Sequence, residues 1–302
     1  MTSHRVVAIV GPTGTGKSAL GVALAQALDG EVVNADSMQL YLGMDIGTAK
    51  LDVAERRGIP HHLLDIWSVT EPASVAEYQR RARAVVDSLL ARGRTPLLLG
   101  GSGLYVRAVL DRFEFPGTDP RLRASLEREL ARTGSGPLHA RLVRLDPDAA
   151  SRIEPSNGRR IVRALEVVEL TGSFTAQLPA PDPVYEAVQV GLDADTGMLD
   201  EWVERRVDRM WQRGLVAEVR ELERHGLRQG RTASRALGYQ QILRYLAGEC
   251  TEREARDETV RATRRFIRRQ RSWFRRDQRI GWLDADRADL LDAALRLVTA
   301  AG

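Results

Sequence analysis

Short β-branched runs alternate with helical patterns through the first hundred residues. Strand-like stretches fall at 5–10, 31–35, 61–66 and 95–99, and helix-like ones at 17–28, 74–92 and 102–112. Alternation of this kind predicts a parallel sheet covered by helices. Past Phe115 the pattern changes at Pro116-Gly117-Thr118-Asp119-Pro120 and becomes helical, with breaks at Gly134-Ser135-Gly136-Pro137, Asp146-Pro147 and Pro155-Ser156-Asn157-Gly158. A proline-rich stretch, Pro179-Ala180-Pro181-Asp182-Pro183, closes this region, and 187–192 reads as one more strand returning to the sheet. Everything after about Thr196 reads as helical. The expectation is an α/β core, 1–115 with 184–302, interrupted by a helical insertion at 116–183.

Composition narrows the class. At 302 residues, 43% of them hydrophobic, the chain has ample material for a buried core, and disordered or collagen-like chains are excluded. No apolar run approaches the roughly 20 residues that a bilayer span needs, and Val6-Val7-Ala8-Ile9-Val10 passes into a glycine-rich turn instead of a cleavage site. A soluble, unprocessed protein is expected, with no membrane partner. Cys250, the single cysteine, has no internal disulfide partner, and the histidines form no cluster at zinc-ligand spacing. A reducing cytoplasm fits, and the absence of an evident apolar seam suggests a monomer. The pair His61-His62, at a strand start, reads as packing or capping.

Net charge is only +4, but nine arginines and one acid, Asp277, lie between Arg261 and Arg279, so the rest of the chain is net negative. If 259–280 is one helix, Val260, Thr263, Phe266, Ile267, Gln270, Trp273 and Phe274 share one face and the arginines take the other. A solvated helix mixes Glu with its Arg at i,i+4; this face lacks such acids and repels itself unless something anionic covers it. Nucleic acid is the partner that this predicts, more than a membrane surface, because the apolar face suits core packing. Smaller basic groups at Arg159-Arg160-Ile161-Val162-Arg163 and Arg235-Ala236-Leu237-Gly238-Tyr239-Gln240 point to the same large anion, held between the insertion and the helical C-terminal region.

The candidate chemistry starts at Gly11-Pro12-Thr13-Gly14-Thr15-Gly16-Lys17-Ser18, which is G-x-x-x-x-G-K-[ST] between a strand and a helix. This is a P-loop, and it predicts a P-loop NTPase-like parallel sheet flanked by helices. Consecutive backbone N–H groups and the helix N-terminus surround a phosphate, Lys17 adds a point charge, and Ser18 offers a hydroxyl to Mg²⁺. A diphosphate is recognised whatever it is attached to. In an arginine-rich chain with only two lysines, Lys17 and Lys50, Lys50 in Met44-Asp45-Ile46-Gly47-Thr48-Ala49-Lys50 stands out beside the P-loop lysine. It either contacts the diphosphate or braces that turn.

The second strand ends at Asn34-Ala35-Asp36-Ser37, placing Asp36 at the carboxyl edge of a parallel sheet, where ligands of such sheets bind. Asp36 there is a general base or, more simply, a helix N-cap. Strand 95–99 ends in Gly100-Gly101-Ser102-Gly103-Leu104-Tyr105 on the same edge. Ser102 can hydrogen-bond a leaving oxygen, although close strand–helix packing explains the glycines equally well.

Taken in order, GPTGTGKS, VVNADSMQLYLGMDIGTAK, HHLLDI, GGSGLY, RRIVRALEV and SRALGYQQI resemble the motifs of the bacterial tRNA dimethylallyltransferases, also called tRNA isopentenyltransferases. The resemblance runs over nearly the whole chain, and no zinc-finger extension follows, as in the bacterial form. It implies Mg²⁺-dependent transfer of a dimethylallyl group from dimethylallyl diphosphate to N6 of the adenosine 3′-adjacent to the anticodon. The residues from Gly11 to Ser18, with Arg206, would hold the diphosphate; Lys17 and Ser102 would stabilise it as it leaves; Asp36 would be the base. By position, Asp36, Ser37, Met38 and Gln39 would touch the target base and its neighbours. Arg123, Arg159, Arg160, Ile161, Val162 and Arg163 would grip the anticodon stem-loop from the insertion, and Arg235, Gly238, Tyr239, Gln240, Arg268, Arg269, Arg271 and Arg275 from the core. Ser102 departs from the family's threonine but keeps the hydroxyl.

Two alternatives remain at this level. A P-loop kinase of a small metabolite would use ATP with Asp36 as base, but leaves the arginine helix unexplained. An NTP-hydrolysing nucleic-acid-binding protein would need an apolar strand ending in acids, which Leu63-Leu64-Asp65-Ile66 matches only in part.

Overall fold

The computed structural model describes residues 5–175 and 179–300; the outermost residues of the expected core, 1–4 and 301–302, and 176–178 of the expected insertion lie outside these. The elements in chain order are β1 (Val6–Val10), α1 (Lys17–Ala27), β2 (Gly30–Asn34), β3 (His61–His62), α2 (Val75–Ala91), β4 (Thr95–Leu99), α3 (Gly103–Leu110), α4 (Pro120–Thr133), α5 (Ser135–Leu145), α6 (Pro147–Ser151), α7 (Gly158–Thr171), β5 (Ala187–Asp193), α8 (Thr196–Gln212), α9 (Leu215–Arg224), α10 (Tyr239–Leu246), α11 (Glu252–Phe274), β6 (Ile280–Asp284) and α12 (Leu290–Ala300). Every position of β1 is buried. Its residues divide by the two-residue period of a strand: Val6, Ala8 and Val10 enter one apolar layer, Val7 and Ile9 the other. Tyr78, Val86 and Leu89 of α2 and Val106 and Val109 of α3 fill the first layer; Leu20 and Leu24 of α1 and Ala294 of α12 fill the second. A strand apolar on both sides is what a covered parallel sheet requires.

The sheet has six strands in the order β3-β2-β4-β1-β5-β6, with every pair parallel. Register sets the functional edge. Leu99 of β4 lies level with Ile9 of β1 and with Asn34 of β2. Gly11, Asp36 and Gly101 therefore each stand two residues beyond a common level, at the carboxyl ends of three strands. Asp36 and the P-loop are not direct neighbours, since β4 and its glycine turn stand between them.

Three expectations are corrected. The strand at 61–66 is only His61–His62, because Leu63 and Asp65 take positive φ values of 62° and 57° and turn the chain out of the sheet. The C-terminal region is not wholly helical: β6 pairs with β5 from Gln189↔Ile280 to Asp193↔Asp284, sending Ile280 and Trp282 to one layer and Leu283 to the other. The arginine-rich helix, begun by a Thr251/Glu254 capping box, ends at Phe274, six residues earlier than the 259–280 reading, because the chain must extend to reach the sheet edge.

The chain divides into two compact units, 5–111 with 183–300, and 112–182. The second has its own core, in which Leu126 of α4, Leu138 and Leu142 of α5, and Ile161 and Leu165 of α7 meet. Its helices begin at capping residues, Asp119 before Pro120 in α4 and Asn157 in α7.

Candidate active site

Gly14 and Gly16 have φ of +91° and +78°, a left-handed backbone that turns the loop so that α1 starts at Lys17. The Thr15 hydroxyl donates to Pro12 O (3.0 Å) and closes the loop on itself. Lys17 Nζ also donates to Pro12 O (2.5 Å). Burial pushes the Lys17 ammonium down to about 7, against the pull of the Asp36 carboxylate and with help from Arg206. Such a group holds its proton weakly until an anion arrives. Ser18 lies in the first turn of α1, and its hydroxyl has no partner among the described residues. That leaves it available to Mg²⁺, which usually takes one or two protein ligands and completes its shell with phosphate and water.

Asp36 sits in a tight turn after β2. Its backbone N–H donates to Asn34 Oδ1 (2.9 Å), and its Oδ1 accepts from the Met38 N–H (2.9 Å). The chain after Asp36 forms a turn and not a helix, so the foreseen N-cap is not made; the carboxylate closes the turn through Oδ1 and leaves Oδ2 for a ligand. The Ser102 hydroxyl, at the start of α3, donates to Ser37 Oγ (3.2 Å) and accepts from the Ser37 N–H (3.2 Å). The glycine turn and the Asp36 turn are therefore stitched together.

Arg206, half-buried on α8, lines a cavity of about 300 Å³ with Gly14, Trp202, Arg205 and Arg209. The cavity opens on the P-loop and is walled by three guanidinium groups, a setting suited to diphosphate. Arg206 Nη2 reaches Thr48 O (3.4 Å), to which Gln39 also donates (3.2 Å). Burial lowers the Arg206 pKa and Asp36 raises it, so Asp36, Lys17 and Arg206 share one electrostatic environment.

Lys50 is not in this environment. Its buried ammonium donates to Tyr41 O (3.1 Å), Asp45 (2.6 Å) and Asp65 (2.5 Å), so it braces the turn. With Asp65 so engaged, the partial acidic-strand match has no acid at the phosphate edge. His62 pairs with Glu31 (2.6 Å). The Met44–Lys50 turn is held from outside by Glu218 of α9, whose carboxylate accepts the N–H groups of Asp45, Ile46 and Gly47 and the Tyr239 hydroxyl (2.6 Å). Tyr239 is buried at this junction, whereas Arg235 and Gln240 are less enclosed and Gly238 supplies a positive φ before α10.

The arginine face of α11 differs from its sequence reading. Six of the nine arginines have carboxylate partners: Arg261 and Arg265 on Glu258, Arg264 on Asp200 and Glu204, Arg271 and Arg275 on Asp193, and Arg279 on Asp111 and Asp277. The expected self-repulsion is relieved partly by nearby acids, Glu258 and Asp277, and partly by Asp111, Asp193, Asp200 and Glu204 from distant parts of the chain. Arg268, Arg269 and Arg276 have no carboxylate partner among the described residues, and with Ser272 and Trp273 they line a shallow depression of about 280 Å³. In the 112–182 unit, Ile161 and Val162 are core residues, while Arg159 and Arg160 are exposed. Arg123 and Arg163 both bind the fully buried Glu166, which also accepts from Thr118 (2.6 Å) and the Asp119 N–H (3.0 Å). Burial pushes the Glu166 carboxyl up, but these donors outweigh it and hold it below the usual value.

These motifs occur together in known proteins. A family model described as IPP transferase matches residues 39–277. A tRNA dimethylallyltransferase from Salinispora arenicola is 73% identical over 98% of this chain and 87% of its own length. This chain belongs to the tRNA dimethylallyltransferase family. A full-length tRNA isopentenylpyrophosphate transferase from Bacillus halodurans superposes with a TM-score of 0.74 at 39% identity, covering 99% of this chain and 96% of that one. A eukaryotic dimethylallyltransferase acting on tRNA gives 0.81 at 26% identity, covering 98% and 78%. Membership makes the chain a transferase with a P-loop-like fold and sets aside the small-metabolite kinase. No helix among the described residues is long and apolar enough to cross a membrane.

Two residues that sequence reasoning missed are Glu218, which holds the Met44–Lys50 turn, and Glu166, which Arg123 and Arg163 both bind. Glu166 had a signal, an acid within the apolar stripe Ile161-Val162-Ala164-Leu165-Val168 of its helix. Glu218, on an ordinary amphipathic helix, had none.

Proposed function

We propose that this chain transfers the dimethylallyl group of dimethylallyl diphosphate to N6 of the adenosine 3′-adjacent to the anticodon of tRNA, releasing diphosphate, as a cytoplasmic monomer requiring Mg²⁺. The observation that carries this reading is the level alignment of the P-loop, the Ser102 turn and Asp36 at one sheet edge, with Asp36 Oδ2 open and in the field of Lys17 and Arg206. The backbone N–H groups from Gly14 to Ser18, Lys17 and Arg206 would bind the diphosphate and stabilise its growing charge as the allylic C–O bond breaks. Bound at Ser18 and the phosphates, Mg²⁺ would neutralise part of that charge. The acceptor amine is a poor nucleophile because its lone pair is delocalised into the purine; Asp36 Oδ2 would take its proton as the C–N bond forms. The adenine must leave its stack to reach this edge, as is common for base-modifying enzymes. The arginines Arg159, Arg160, Arg235, Arg268 and Arg269 supply contacts to the anticodon stem-loop phosphates.

The test is incubation with Mg²⁺, radiolabelled dimethylallyl diphosphate and unmodified tRNA, with Asp36→Ala and ATP as parallel arms. Label should enter tRNA with the wild type and fall by on the order of 100-fold or more in the variant. Equal labelling by both proteins would remove Asp36 as the base; phosphate transfer from ATP in place of prenyl transfer would remove the function.

A further inference from the structure

Gln270 is the one primary amide on the buried face of α11, only 6% exposed. Its two polar ends are both used across the sheet edge. Oε1 accepts the N–H of Thr13 in the P-loop (2.9 Å), and Nε2 donates to Gly101 O in the glycine turn (2.9 Å). The fit is close: a Cβ on Gly101 would collide with the Gln270 amide, and a Cβ on Gly103 with the Trp273 indole one turn further along the helix. The residues preceding Gln270, Arg268 and Arg269, are exposed and line the shallow depression together with Trp273.

We infer that Gln270 is a positioning residue, holding the donor loop at a fixed distance from the turn that carries Ser102 and tying both to the helix that faces RNA. This rests on the transferase reading above. By taking the Thr13 N–H, the amide fixes the loop at its third residue and leaves the following N–H groups, Gly14 to Ser18, for phosphate. By holding Gly101 O, it fixes the next residue, Ser102, which is bonded to Ser37 beside Asp36. Leaving-group site and base are thus set relative to each other through one side chain. An amide suits the two contacts because it accepts at one atom and donates at another; an ionised carboxylate only accepts, a hydrocarbon does neither, and a hydroxyl would have to do both through a single oxygen.

The test compares Gln270→Ala and Gln270→Glu with the wild type in four measurements: kcat and KM for both substrates, direct binding of inorganic diphosphate, binding of an anticodon stem-loop RNA, and thermal melting. Gln270→Ala should lower kcat by on the order of 10- to 100-fold, as small misplacements of reacting groups do, and should weaken diphosphate binding while RNA affinity stays within about twofold. Gln270→Glu keeps the acceptor for Thr13 but, when ionised, turns a second oxygen on Gly101 O. A protonated carboxyl restores the donor, so its activity relative to the wild type should rise as pH falls from about 8 to about 6, burial having raised the new carboxyl's pKa. Unchanged kinetics in Gln270→Ala would overturn the inference. So would equal losses of RNA binding, diphosphate binding and melting temperature with a flat activity ratio for Gln270→Glu, which mark a merely structural residue. A wild type that binds diphosphate but transfers no prenyl group would instead overturn the function.

Discussion

The sheet edge and the outer face of α11 use positive charge in opposite ways. At the edge there are few cations, desolvated and without a salt bridge among the described residues: Lys17, leaning on a carbonyl, and Arg206, at the limit of hydrogen-bond reach from Thr48 O. On α11 there are many, and most are matched by carboxylates. Charge held for a ligand is recognised by its lack of an internal partner and not by its density. The physical reason is that a carboxylate already offsets a paired guanidinium's charge and takes up some of its donors, whereas an unpaired, partly buried cation gains more from the first anion to arrive.

The sharpest break in that comparison is Lys17→Met. Removing a cation aimed at developing charge should reduce kcat/KM for dimethylallyl diphosphate by on the order of 100- to 1,000-fold with tRNA affinity little changed, measured by steady-state kinetics and RNA binding. The same lysine gives a pH signature. In the free protein it is half-ionised near pH 7, and a bound diphosphate favours the ammonium form and raises that value. Affinity for the donor is therefore full below about pH 7 and falls as pH rises above it, with proton uptake on binding. Calorimetry in buffers of different ionisation enthalpy should show the uptake in wild type and not in Lys17→Met.

Smaller effects test the other side. Arg268→Ala, Arg269→Ala and Arg276→Ala should each weaken binding of an anticodon stem-loop and lower the salt-dependence slope by about one unit for each RNA phosphate that is no longer neutralised. Arg261→Ala and Arg265→Ala, on Glu258, should change RNA affinity less, and stability by no more than about 1 kcal/mol, since both pairs are exposed. If the paired and unpaired arginines behave alike in a salt titration, pairing is not the selector and the comparison fails.

The strand–loop–helix run from Val6 through Ser18, the Asp36 turn and the Gly100–Ser102 turn were legible because each is made by neighbouring residues: short β-branched apolar runs, glycine-rich turns after them, a lysine and hydroxyl at fixed spacing. Lys50 was noticed for its rarity, but its two carboxylate partners, Asp45 and Asp65, decided that it is a brace. β6 was hidden because five residues of alternating pattern after a basic run carry little local signal, and what makes them a strand is the open edge of β5. The α11 arginines were misjudged because counting acids within the segment omits Asp193, Asp200 and Glu204, which arrive from β5 and α8.

By itself, the sequence determined the α/β class, the phosphate loop and the identity of the chemical groups, since these follow from backbone geometry and periodicity over a few residues. The tertiary structure alone decided which cations remain unpaired, that Asp36, Ser102 and the P-loop share one level of the sheet, and that Gln270 joins them. Those are properties of strand register and packing between distant segments, and a contact between residues separated by 257 positions, such as Thr13 with Gln270, exists only once the helix has closed on the sheet.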